Sequence, residues 1–552
     1  MTRFLFRLMK STQRICLVPL LLIITCLFAS NSWACNGKKY YLKDVVDLHG
    51  ELLRLPANTT IVFEDKGKLI NGTVQGNGCN IKHSHDDCIG VLLTGSWAVK
   101  EISDTWFDKN ILSDNEIINN LSVIQSDNLK QVLRIDRDYN INLTKENNTG
   151  LYIASNTTVQ LNAQISIKGN SLTRYDIVSI AGKENVVING GEIKGDVGSH
   201  NYIKGSTSEW GFGIYIYESK NVTISNLKVS LCIGDGFYIS GTSGCSLNDY
   251  SKASKNIKII KCTVYDARRD GISIIHADDV LIEDFRAINI RQSDYTSPSY
   301  CINIEPNKCK SVKDVTIKRY ISTNTKAEYA FSSGGYQLSE GKSNRDGIIL
   351  EDCEMDKGVA IMSGAVTINH SRMNKVAIYP QEMPSGKVYF NDCTIIGGNG
   401  IELDGRTKIN ITSNNTPTYV FNNCIIESET AYKRMPGLIW GTNLDNIKGV
   451  FSFEKCQIVL PKGENRYNLI YRELPANISF DDCEIDSGEY PFAPYGALFK
   501  NCRISCLYVD GAIASERKSV FNNCAITTHH ATKRVVNENG LTLLSKTRFD
   551  CK

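Results

Sequence analysis

Residues 211–240 read GFGIYIYESKNVTISNLKVSLCIGDGFYIS, and residues 256–275 read NIKIIKCTVYDARRDGISII. Four short runs share one frame: Gly213-Ile-Tyr-Ile, Gly236-Phe-Tyr-Ile, Gly271-Ile-Ser-Ile and Cys301-Ile-Asn-Ile. Each run alternates apolar residues with polar or small ones, which is typical of a strand with one buried face. A second strand follows three of the runs, at 221–229, 279–288 and 314–322. Strand–turn–strand units that recur along a chain predict a solenoid of stacked coils, a β-helix.

The first 34 residues have the features of a secretory signal peptide. Four basic residues precede the apolar run 16–29: Arg3, Arg7, Lys10 and Arg14. Ser32-Trp33-Ala34 fits a small-x-small cleavage site, so we expect cleavage after Ala34. Attachment of a lipid at Cys35 is the less favoured alternative, because Trp33 replaces the small residue of a lipid-attachment motif. We therefore expect an exported protein, in the periplasm, on the cell surface or secreted, with no membrane-spanning segment after signal removal.

The charge balance argues against a nucleic-acid partner. Without residues 1–34 the formal net charge falls from +3 to −1, because the leader holds four basic and no acidic residues. A chain without a basic field or a Lys/Arg-rich run lacks the electrostatic attraction that nucleic acid requires. We expect no nucleic-acid binding, and we expect a monomer.

Nineteen cysteines in an exported chain would usually indicate disulfides. Eight of them instead recur in one local frame, each three residues after an apolar one: Cys262, Cys353, Cys393, Cys424, Cys456, Cys483, Cys502 and Cys524. This regularity predicts a stack of buried free thiols, one in each coil. Two pairs, Cys79 with Cys88 and Cys301 with Cys309, are close enough in sequence for local disulfides, and the sequence leaves that question open.

The chain divides into regions of different pattern. Residues 35–101 alternate short strands with turns and predict an N-terminal β cap or first coils. Residues 102–133 place apolar residues at helical spacing and predict a short helical segment that caps the solenoid, whose open end must be covered. Residues 134–552 form the predicted parallel β-helix, so the fold class is all-β. Long polar insertions are expected to project from one face and to build the binding site. They lie at 241–255, 292–299 and 334–347.

Acidic residues recur beside the repeated strands. Asp235 and Asp270 occupy one position of the frame, so their carboxylates are expected on neighbouring coils, roughly 5 Å apart. Glu305 lies in a different row of the same sheet. Carboxylate pairs carry out glycoside hydrolysis, and stacked like charges raise one pKa, as a general acid requires. These three residues are the predicted catalytic set, although an Asp before Gly is equally typical of a turn.

Other residues on these coils are candidate substrate-binding groups. Arg268 and Arg269 flank Asp270, where they would hold an anionic sugar or neutralise a carboxylate. His276 is a further candidate, but a turn residue is the more usual explanation. The remaining candidates lie on outward faces of the strands: Trp210, Tyr215, Tyr217, Tyr238 and Asn303. Each is also an ordinary exposed residue taken singly, and only their convergence favours a site.

Metals and cofactors are not indicated. The pairs Asp278-Asp279 and Asp481-Asp482 lack the spacing of a Ca²⁺ loop. The stretch from His83 to Cys88 lacks the spacing and context of a zinc site. We therefore predict no metal and no cofactor; Ca²⁺ is compatible with the sequence but not indicated by it.

The quoted stretches resemble the pectin-lyase-like superfamily of right-handed parallel β-helices, and also exported β-helix repeat proteins of the Bacteroidetes. The resemblance covers most of residues 40–360 and implies a single-stranded right-handed solenoid that acts on carbohydrate. Relative to polygalacturonases, Gly234-Asp235-Gly236 keeps one Asp of an Asp-Asp motif, and Arg269-Asp270-Gly271 has Asp where that family has His. Phe212 stands where the first Asp of that family would be. The resemblance therefore implies a class of substrate and leaves the mechanism open.

Three functions follow from these observations. The first is a glycoside hydrolase that cleaves a polysaccharide or glycan with a carboxylate acid/base pair. The second is a polysaccharide lyase that uses Arg269 or a tyrosine as base on an acidic glycan. The third is a non-catalytic glycan-binding or surface solenoid.

Overall fold

The structure is a computed structural model. The residues that it describes are 33–36, 38–82, 84–243, 249–291, 299–307, 310–334, 345–361, 365–379, 386–404, 418–427, 437–442, 449–460, 468–470, 477–488, 491–511, 518–530, 532, 534–536, 538–544 and 546–551. Most of the predicted signal peptide, residues 1–32, lies outside these ranges. The described part contains no helix that is long and apolar enough to cross a membrane. The chain forms two compact units: Met1–Ile141 with Gly150–Gln164, and Asn142–Thr149 with Ile165–Lys552.

The second unit is a right-handed parallel β-helix, which confirms the predicted fold. One coil contains three strands, Trp210–Tyr217, Lys220–Ser225 and Lys228–Ser230. Each strand pairs in parallel with its equivalent in the next coil. These pairings continue from coil to coil and build three long sheets, called sheet 1, sheet 2 and sheet 3 in the order in which the chain enters them.

The strands of the second unit are grouped by sheet. Sheet 1 contains Arg174–Ala181, Trp210–Tyr217, Phe237–Ser240, Ile272–Ile274, Tyr300–Ile304, Tyr329–Ser333, Val359–Ile361, Gly437–Thr442 and Asn468–Ile470. Sheet 2 contains Glu184–Asn189, Lys220–Ser225, Ser254–Ile260, Ala277–Glu283, Val312–Lys318, Arg345–Glu351, Val366–Asn369, Lys387–Asn391, Thr418–Asn422, Val450–Glu454, Asn477–Asp481, Leu498–Lys500, Ser519–Asn522 and Leu541–Leu543. Sheet 3 contains Gln164–Ile167, Glu192–Lys194, Lys228–Ser230, Thr263–Tyr265, Arg286–Ile288, Ile321–Thr323, Ile425–Glu427, Gln457–Val459, Glu484–Asp486, Arg503–Cys506, Ala525–Thr528 and Arg548–Cys551. Two longer strands continue from sheet 3 into sheet 1: Arg372–Ile378 and Thr394–Asp404. A further short pair joins Val509–Asp510 to Val535–Val536, and Glu538–Gly540 is a 3-10 helix.

Alternation along the strands of sheet 1 builds the core. The inward side chains of four successive coils are in register and fully buried: Ile214, Phe237, Ile272 and Ile302. Burial of each such side chain contributes about 1.5–3 kcal/mol to folding. The intervening residues face outward, so the sequence pattern correctly predicts which side chains share the outer face.

Asparagines turn the chain as it enters sheet 2. Asn185, Asn221 and Asn256 have positive φ, a conformation in which asparagine is favoured over most residues. The Asn221 amide donates to Asn185 Oδ1 at 3.0 Å, and the Asn256 amide donates to Asn221 Oδ1 at 2.8 Å. This ladder of side-chain amides holds successive coils in one register, and register sets the geometry of the site on sheet 1.

Free thiols and phenylalanines fill the core of the later coils. All eight cysteines of the repeated frame are free and buried, which confirms the predicted thiol stack. Cys79 and Cys88 are also free, so the local disulfide between them is not formed. Cys301 is free, and Cys309 lies outside the described residues. Beside the thiols, six phenyl rings stack at centroid distances of 4.6–5.0 Å: Phe390, Phe421, Phe453, Phe480, Phe499 and Phe521.

The described residues of the first unit form strands, one α-helix and a 3-10 helix. Helix α1, Asp114–Val123, begins with a capping box in which Ser113 and Glu116 bind each other's backbone N–H groups. It confirms the predicted short helical segment; Asp104–Trp106 is a 3-10 helix. The strands that lie in this unit or at its edge are Trp33–Asn36, Lys39–Leu42, Val45–Asp47, Leu52–Arg54, Thr60–Phe63, Lys68–Lys82, Ile89–Trp97, Glu101–Ser103, Gln131–Ile135, Tyr139–Ile141, Thr149–Tyr152 and Thr157–Leu161. The division into domains at 101/102 and 133/134 stays a prediction.

Candidate functional site

The outer face of sheet 1 carries the candidate site. Tyr215, Tyr238, Ser273 and Asn303 follow one another in register on four coils, as the sequence predicts. The row one step earlier contains Phe212, Asp235, Asp270 and Tyr300. The backbone N–H of the following glycine donates to the carbonyl oxygen of the row's next residue at 3.0–3.2 Å: Gly213 to Asp235, Gly236 to Asp270 and Gly271 to Tyr300. Asp235 and Asp270 are therefore neighbours on adjacent coils.

The glycines after the two aspartates are a packing requirement of the strand. A Cβ on Gly236 would lie 2.7 Å from Val264 Cγ1, and one on Gly271 would lie 2.4 Å from the Cys301 carbonyl oxygen. Neither glycine has a positive φ. Each Asp-Gly pair lies directly before a strand of sheet 1, Phe237–Ser240 or Ile272–Ile274, and close packing restricts the position after each aspartate to glycine.

Arg269 joins all three predicted carboxylates. Its Nη1 lies 3.1 and 3.0 Å from the two carboxyl oxygens of Asp235 and 3.6 Å from Asp270 Oδ2. Its Nη2 lies 3.4 Å from Glu305 Oε2. We call these four residues the acid centre. Asp235 and Asp270 share one row of the sheet, and Glu305 lies in another. The Arg269 guanidinium connects the two rows.

Asp270 is held by a set of hydrogen-bond donors. The Tyr300 backbone N–H donates to Oδ1 at 2.8 Å, and the Ser273 hydroxyl donates to Oδ2 at 3.0 Å. The Asn303 amide also donates to Oδ2, at 3.1 Å, and reaches Glu305 Oε2 at 3.2 Å. These contacts fix the carboxylate of Asp270 and link it through Asn303 to Glu305.

Asp235 lies in a different electrostatic environment. Burial raises its pKa to about 7; Arg269 opposes the rise, and the neighbouring Asp270 adds to it. For Arg269, burial disfavours the charged form, but Asp235, Asp270 and Glu305 together raise its pKa. The acid centre thus combines a carboxyl that titrates near neutral pH with a permanently charged guanidinium.

Solvent reaches only part of the acid centre. The side chains of Asp235 and Asp270 are 0% exposed, that of Arg269 is 17% exposed and that of Glu305 is 39% exposed. A ligand that approaches sheet 1 therefore meets Arg269 and Glu305 first. The two aspartates lie beneath them.

Aromatic rings cover the coils before the acid centre. Tyr215 stacks on Phe212 at 5.8 Å and on Tyr217 at 5.5 Å, with interplanar angles of 12° and 10°. Trp210 packs edge-on against Phe212 and is 42% exposed. Tyr238 is only 7% exposed, and Phe212 lies against its ring at 4.4 Å. Trp210, Tyr215 and Tyr217 thus present partly exposed rings, whereas Tyr238 is a packing residue rather than the predicted sugar platform.

Two predicted binding residues, Arg268 and His276, form hydrogen bonds with backbone carbonyl oxygens away from the acid centre. Arg268 is buried, and its Nη1 donates to the carbonyl oxygens of Thr207, Ser208 and Ile233 at 2.9–3.3 Å. His276 is also buried, with Nδ1 2.9 Å from the Ser311 carbonyl oxygen, and burial lowers its pKa. Arg269 therefore joins the acids, whereas Arg268 anchors the preceding loop.

The sequence pattern did not single out several residues of this face. Ser273 appears in the predicted outward row without a role, yet it holds Asp270. A second aromatic group begins on the coil of Glu305, where Tyr300 stacks on Tyr329 of the next coil at 6.4 Å; Lys375 lies 4.2 Å from the Tyr329 ring centroid. Asp176 pairs in register with Phe212 and so belongs to the row of Asp235 and Asp270. Alignment of residues 176–180 with 212–216 would have found it.

Metal binding has little support in the described residues. They contain no group of three or more His, Cys, Asp or Glu side chains arranged to hold a metal ion. In the acid centre the space between the carboxylates is occupied by the Arg269 guanidinium. In the stretch from His83 to Cys88, His83 lies outside the described residues, and His85 Nε2 lies 3.0 Å from the Gly67 carbonyl oxygen.

Comparison with known proteins gives distant matches. No family model matches the chain. It is 29% identical over 226 residues to the uncharacterized protein YclG of Bacillus subtilis. The aligned region covers 40% of this chain and 38% of that protein. The matched region therefore spans less than half the length of this curated relative.

Two solved structures illustrate the structural likeness. One is PfbA, a surface adhesin of Streptococcus pneumoniae, with a TM-score of 0.34, 12% identity and coverage of 79% of this chain and 93% of that one. The other is the A-module of the mannuronan C-5 epimerase AlgE4 of Azotobacter vinelandii, with a TM-score of 0.31, 10% identity and coverage of 76% and 91%. At these values the likeness does not extend to activity, so function has to be inferred from the acid centre itself.

Proposed function

We propose that this protein is a carbohydrate-active enzyme, a glycoside hydrolase, that binds a glycan along the outer face of sheet 1. The observation that carries the proposal is the contact of one guanidinium with three carboxylates, at 3.0, 3.6 and 3.4 Å, on coils flanked by partly exposed aromatic rings. Sugar rings bind where aromatic surface and a few placed polar groups meet.

The acid centre contains the groups that glycoside hydrolysis requires. One carboxyl must protonate the leaving oxygen, and a second carboxylate must activate water or attack the sugar. Asp235 suits the first role, because its pKa of about 7 keeps much of it protonated near neutral pH. Glu305 suits the second role, because it is the carboxylate that solvent reaches. Asp270 and Arg269 would supply the fixed charges around them.

Substrate binding must uncover Asp235 for this assignment to work. Arg269 covers its carboxyl, and the side chain of Asp235 is 0% exposed. A polar or anionic sugar substituent that draws the guanidinium outward would expose the acid and remove a charge that opposes its protonation. Arg269 is in this proposal a substrate-binding residue whose displacement is coupled to catalysis.

Glycan binding without turnover is the second candidate. The complete burial of Asp235 and Asp270 favours it, since a carboxyl that never meets the ligand would serve only to hold Arg269. No observation favours the lyase. Its proposed base would be Arg269, which three carboxylates hold charged, or a tyrosine such as Tyr238, whose pKa burial raises to about 12.

A reducing-end assay over plant, host and bacterial polysaccharides tests the proposal. The wild-type protein is expected to release reducing ends from at least one, without the ultraviolet absorbance of the unsaturated ends that a lyase produces. Asp235→Asn and Glu305→Gln should each lower turnover about 10²–10⁴-fold. Matched controls are Asp482→Asn and Glu484→Gln, which change exposed residues on another part of the solenoid. Binding that persists unchanged in all four variants, with no turnover by any protein, would establish the second candidate instead.

Export remains part of the proposal. An exported glycan hydrolase would meet its substrate outside the cytoplasm, in agreement with the leader-like pattern of residues 1–34. Mass spectrometry of the protein from its natural host is expected to give an N-terminus at Cys35 without a lipid. An uncleaved chain, or a lipid on Cys35, would contradict that expectation.

A further inference from the structure

The coil that precedes the aromatic rings contains a carboxylate outside the acid centre. Asp176 lies in the strand Arg174–Ala181 of sheet 1, in register with Phe212 of the next coil. The coil after that contributes Asp235 to the same row. Asp176 is therefore two coils from Asp235, which corresponds to roughly 10 Å along the sheet.

The hydrogen-bond state of Asp176 is unusual for a carboxylate. The residue is 9% exposed, and its Oδ1 is buried without a hydrogen-bond partner. Burial raises its pKa to about 6, against the opposing effect of Arg174. An unpaired buried polar atom costs about 1–3 kcal/mol, and most buried polar groups in proteins have partners. Folding alone does not explain such a group at this position.

The neighbours of Asp176 form the rest of a ligand position. The Arg174 guanidinium carbon lies 5.8 Å from the centroid of the Tyr215 ring. Asp176 pairs in register with Phe212, whose ring stacks on Tyr215 at 5.8 Å, so Asp176 adjoins the ring stack. Tyr215 is half-buried and continues the ring stack of Phe212 and Tyr217. A carboxyl, a cation and the edge of an aromatic surface thus meet at one point of the outer face.

We infer that Asp176, Arg174 and Tyr215 form a second sugar-binding position, which takes a hydroxyl group of the glycan on the unpaired oxygen of Asp176. The inference rests on the proposed function, because it assumes that a glycan lies along sheet 1. It also deepens that function. A ligand that spans both positions must be an oligosaccharide or polysaccharide, and it must extend from the acid centre toward the N-terminal coils.

Affinity electrophoresis of the full chain tests the inference. The gels contain xylan, polygalacturonate, hyaluronan or dextran, and the ligand is whichever of these retards the wild-type protein. Asp176→Asn replaces a charged acceptor by a neutral one and is expected to weaken retardation about tenfold, because a hydrogen bond to a carboxylate is stronger than one to an amide oxygen. Glu305→Gln should keep the retardation while it loses turnover. The control Asp482→Asn should match the wild type in both.

Thermal unfolding separates a ligand role from a structural one. Because Asp176 has an unpaired buried oxygen, Asp176→Leu should raise the unfolding temperature while it weakens retardation. If Asp176 had only a structural role, Asp176→Leu would instead lower the unfolding temperature together with the retardation. Unchanged retardation in Asp176→Asn, with turnover intact, overturns the inference and leaves the proposed function standing. If the wild-type protein shows neither turnover nor retardation with any of the polysaccharides, the inference and the proposed function are both overturned.

Discussion

Two stretches of the same solenoid use charge in opposite ways. In the coils from 210 to 305, Arg269 meets three carboxylates, and two of these are completely buried. In the coils from 477 to 528, the ion pairs lie at the surface, as between Lys500 and Asp481 at 2.9 Å, with side chains 52% and 41% exposed. The core of the later coils is a column of stacked phenyl rings beside buried thiols.

The difference separates a scaffold from a site. Stacked aromatic pairs contribute about 0.5–1.5 kcal/mol each beyond their buried area, and surface ion pairs contribute little. A buried charge cluster costs desolvation energy, and replacement by apolar residues often stabilises a protein. A chain that builds simple coils elsewhere, but buries two aspartates and an arginine at one place, carries that cost for a reason other than stability.

The largest difference in stability is expected between two arginine variants, one that removes the buried Arg269 and one that removes the surface residue Arg319. Arg269→Ala leaves Asp235 and Asp270 buried without their cation and should lower the free energy of unfolding by about 3–5 kcal/mol. Arg319→Ala removes a surface arginine that lies 2.6 Å from both Glu283 and Asp284. It should change stability little, because solvent screens those charges. Urea denaturation monitored by circular dichroism measures both, and equal losses would contradict the comparison.

The next effect concerns the phenyl column. Phe453 stacks between Phe421 at 4.7 Å and Phe480 at 4.8 Å. Phe453→Leu keeps an apolar side chain but removes both ring contacts, so it should lower the free energy of unfolding by about 1–3 kcal/mol. The kcat/KM of the folded protein toward its polysaccharide should not change. A loss of kcat/KM without a loss of stability would show that the later coils are more than a scaffold.

The pH dependence of stability should report Asp235. Its pKa rises from an ordinary value of about 4 in the unfolded chain to about 7 in the folded protein. The folded state therefore binds the proton more tightly, and the resulting stabilisation is complete below pH 4 and lost as the pH rises through 7. Denaturation between pH 4 and 8 should show this decline, and Asp235→Asn should reduce it. An unchanged slope in the variant would mean that Asp235 is ionised throughout.

A thiol of the later coils should give the smallest effect. Cys456 is buried, and its thiol donates to the Phe421 carbonyl oxygen at 3.2 Å. Cys456→Ala removes one small buried group and should cost about 1 kcal/mol. Turnover should be unaffected, and an aromatic disulfide reagent should label the described cysteines only after unfolding. Rapid labelling of the native protein at Cys456 would contradict its burial.

Register was the part of this structure that a sequence could predict. The alternation in Ile214-Tyr215 and Phe237-Tyr238 gives both the inward column and the outward row, because side chains alternate with a period of two. Repetition then places Asp235 above Asp270. These inferences need only the backbone pattern, and the pairing of the strands bears them out.

The convergence on Arg269 could not be predicted in the same way. Arg268 and Arg269 are adjacent residues of one type, so the sequence does not tell which of them faces the acids. Burial of Asp235 depends on how far the long Arg269 side chain reaches across a coil, which is a property of packing. Asp176 was predictable in principle, since its strand has the same frame as Phe212, but its unpaired oxygen becomes visible only with the neighbours in place.

The pH profile of kcat/KM on a polysaccharide cleaved by the wild-type protein tests the central claim most directly. If Asp235 is the proton donor of the acid centre, kcat/KM should fall as the pH rises through about 7, because burial holds its pKa there. Asp235→Asn should lose activity at every pH, and Glu484→Gln should keep the wild-type profile. A profile that stays flat through pH 7, or an Asp235→Asn variant as active as the wild type, would contradict the account.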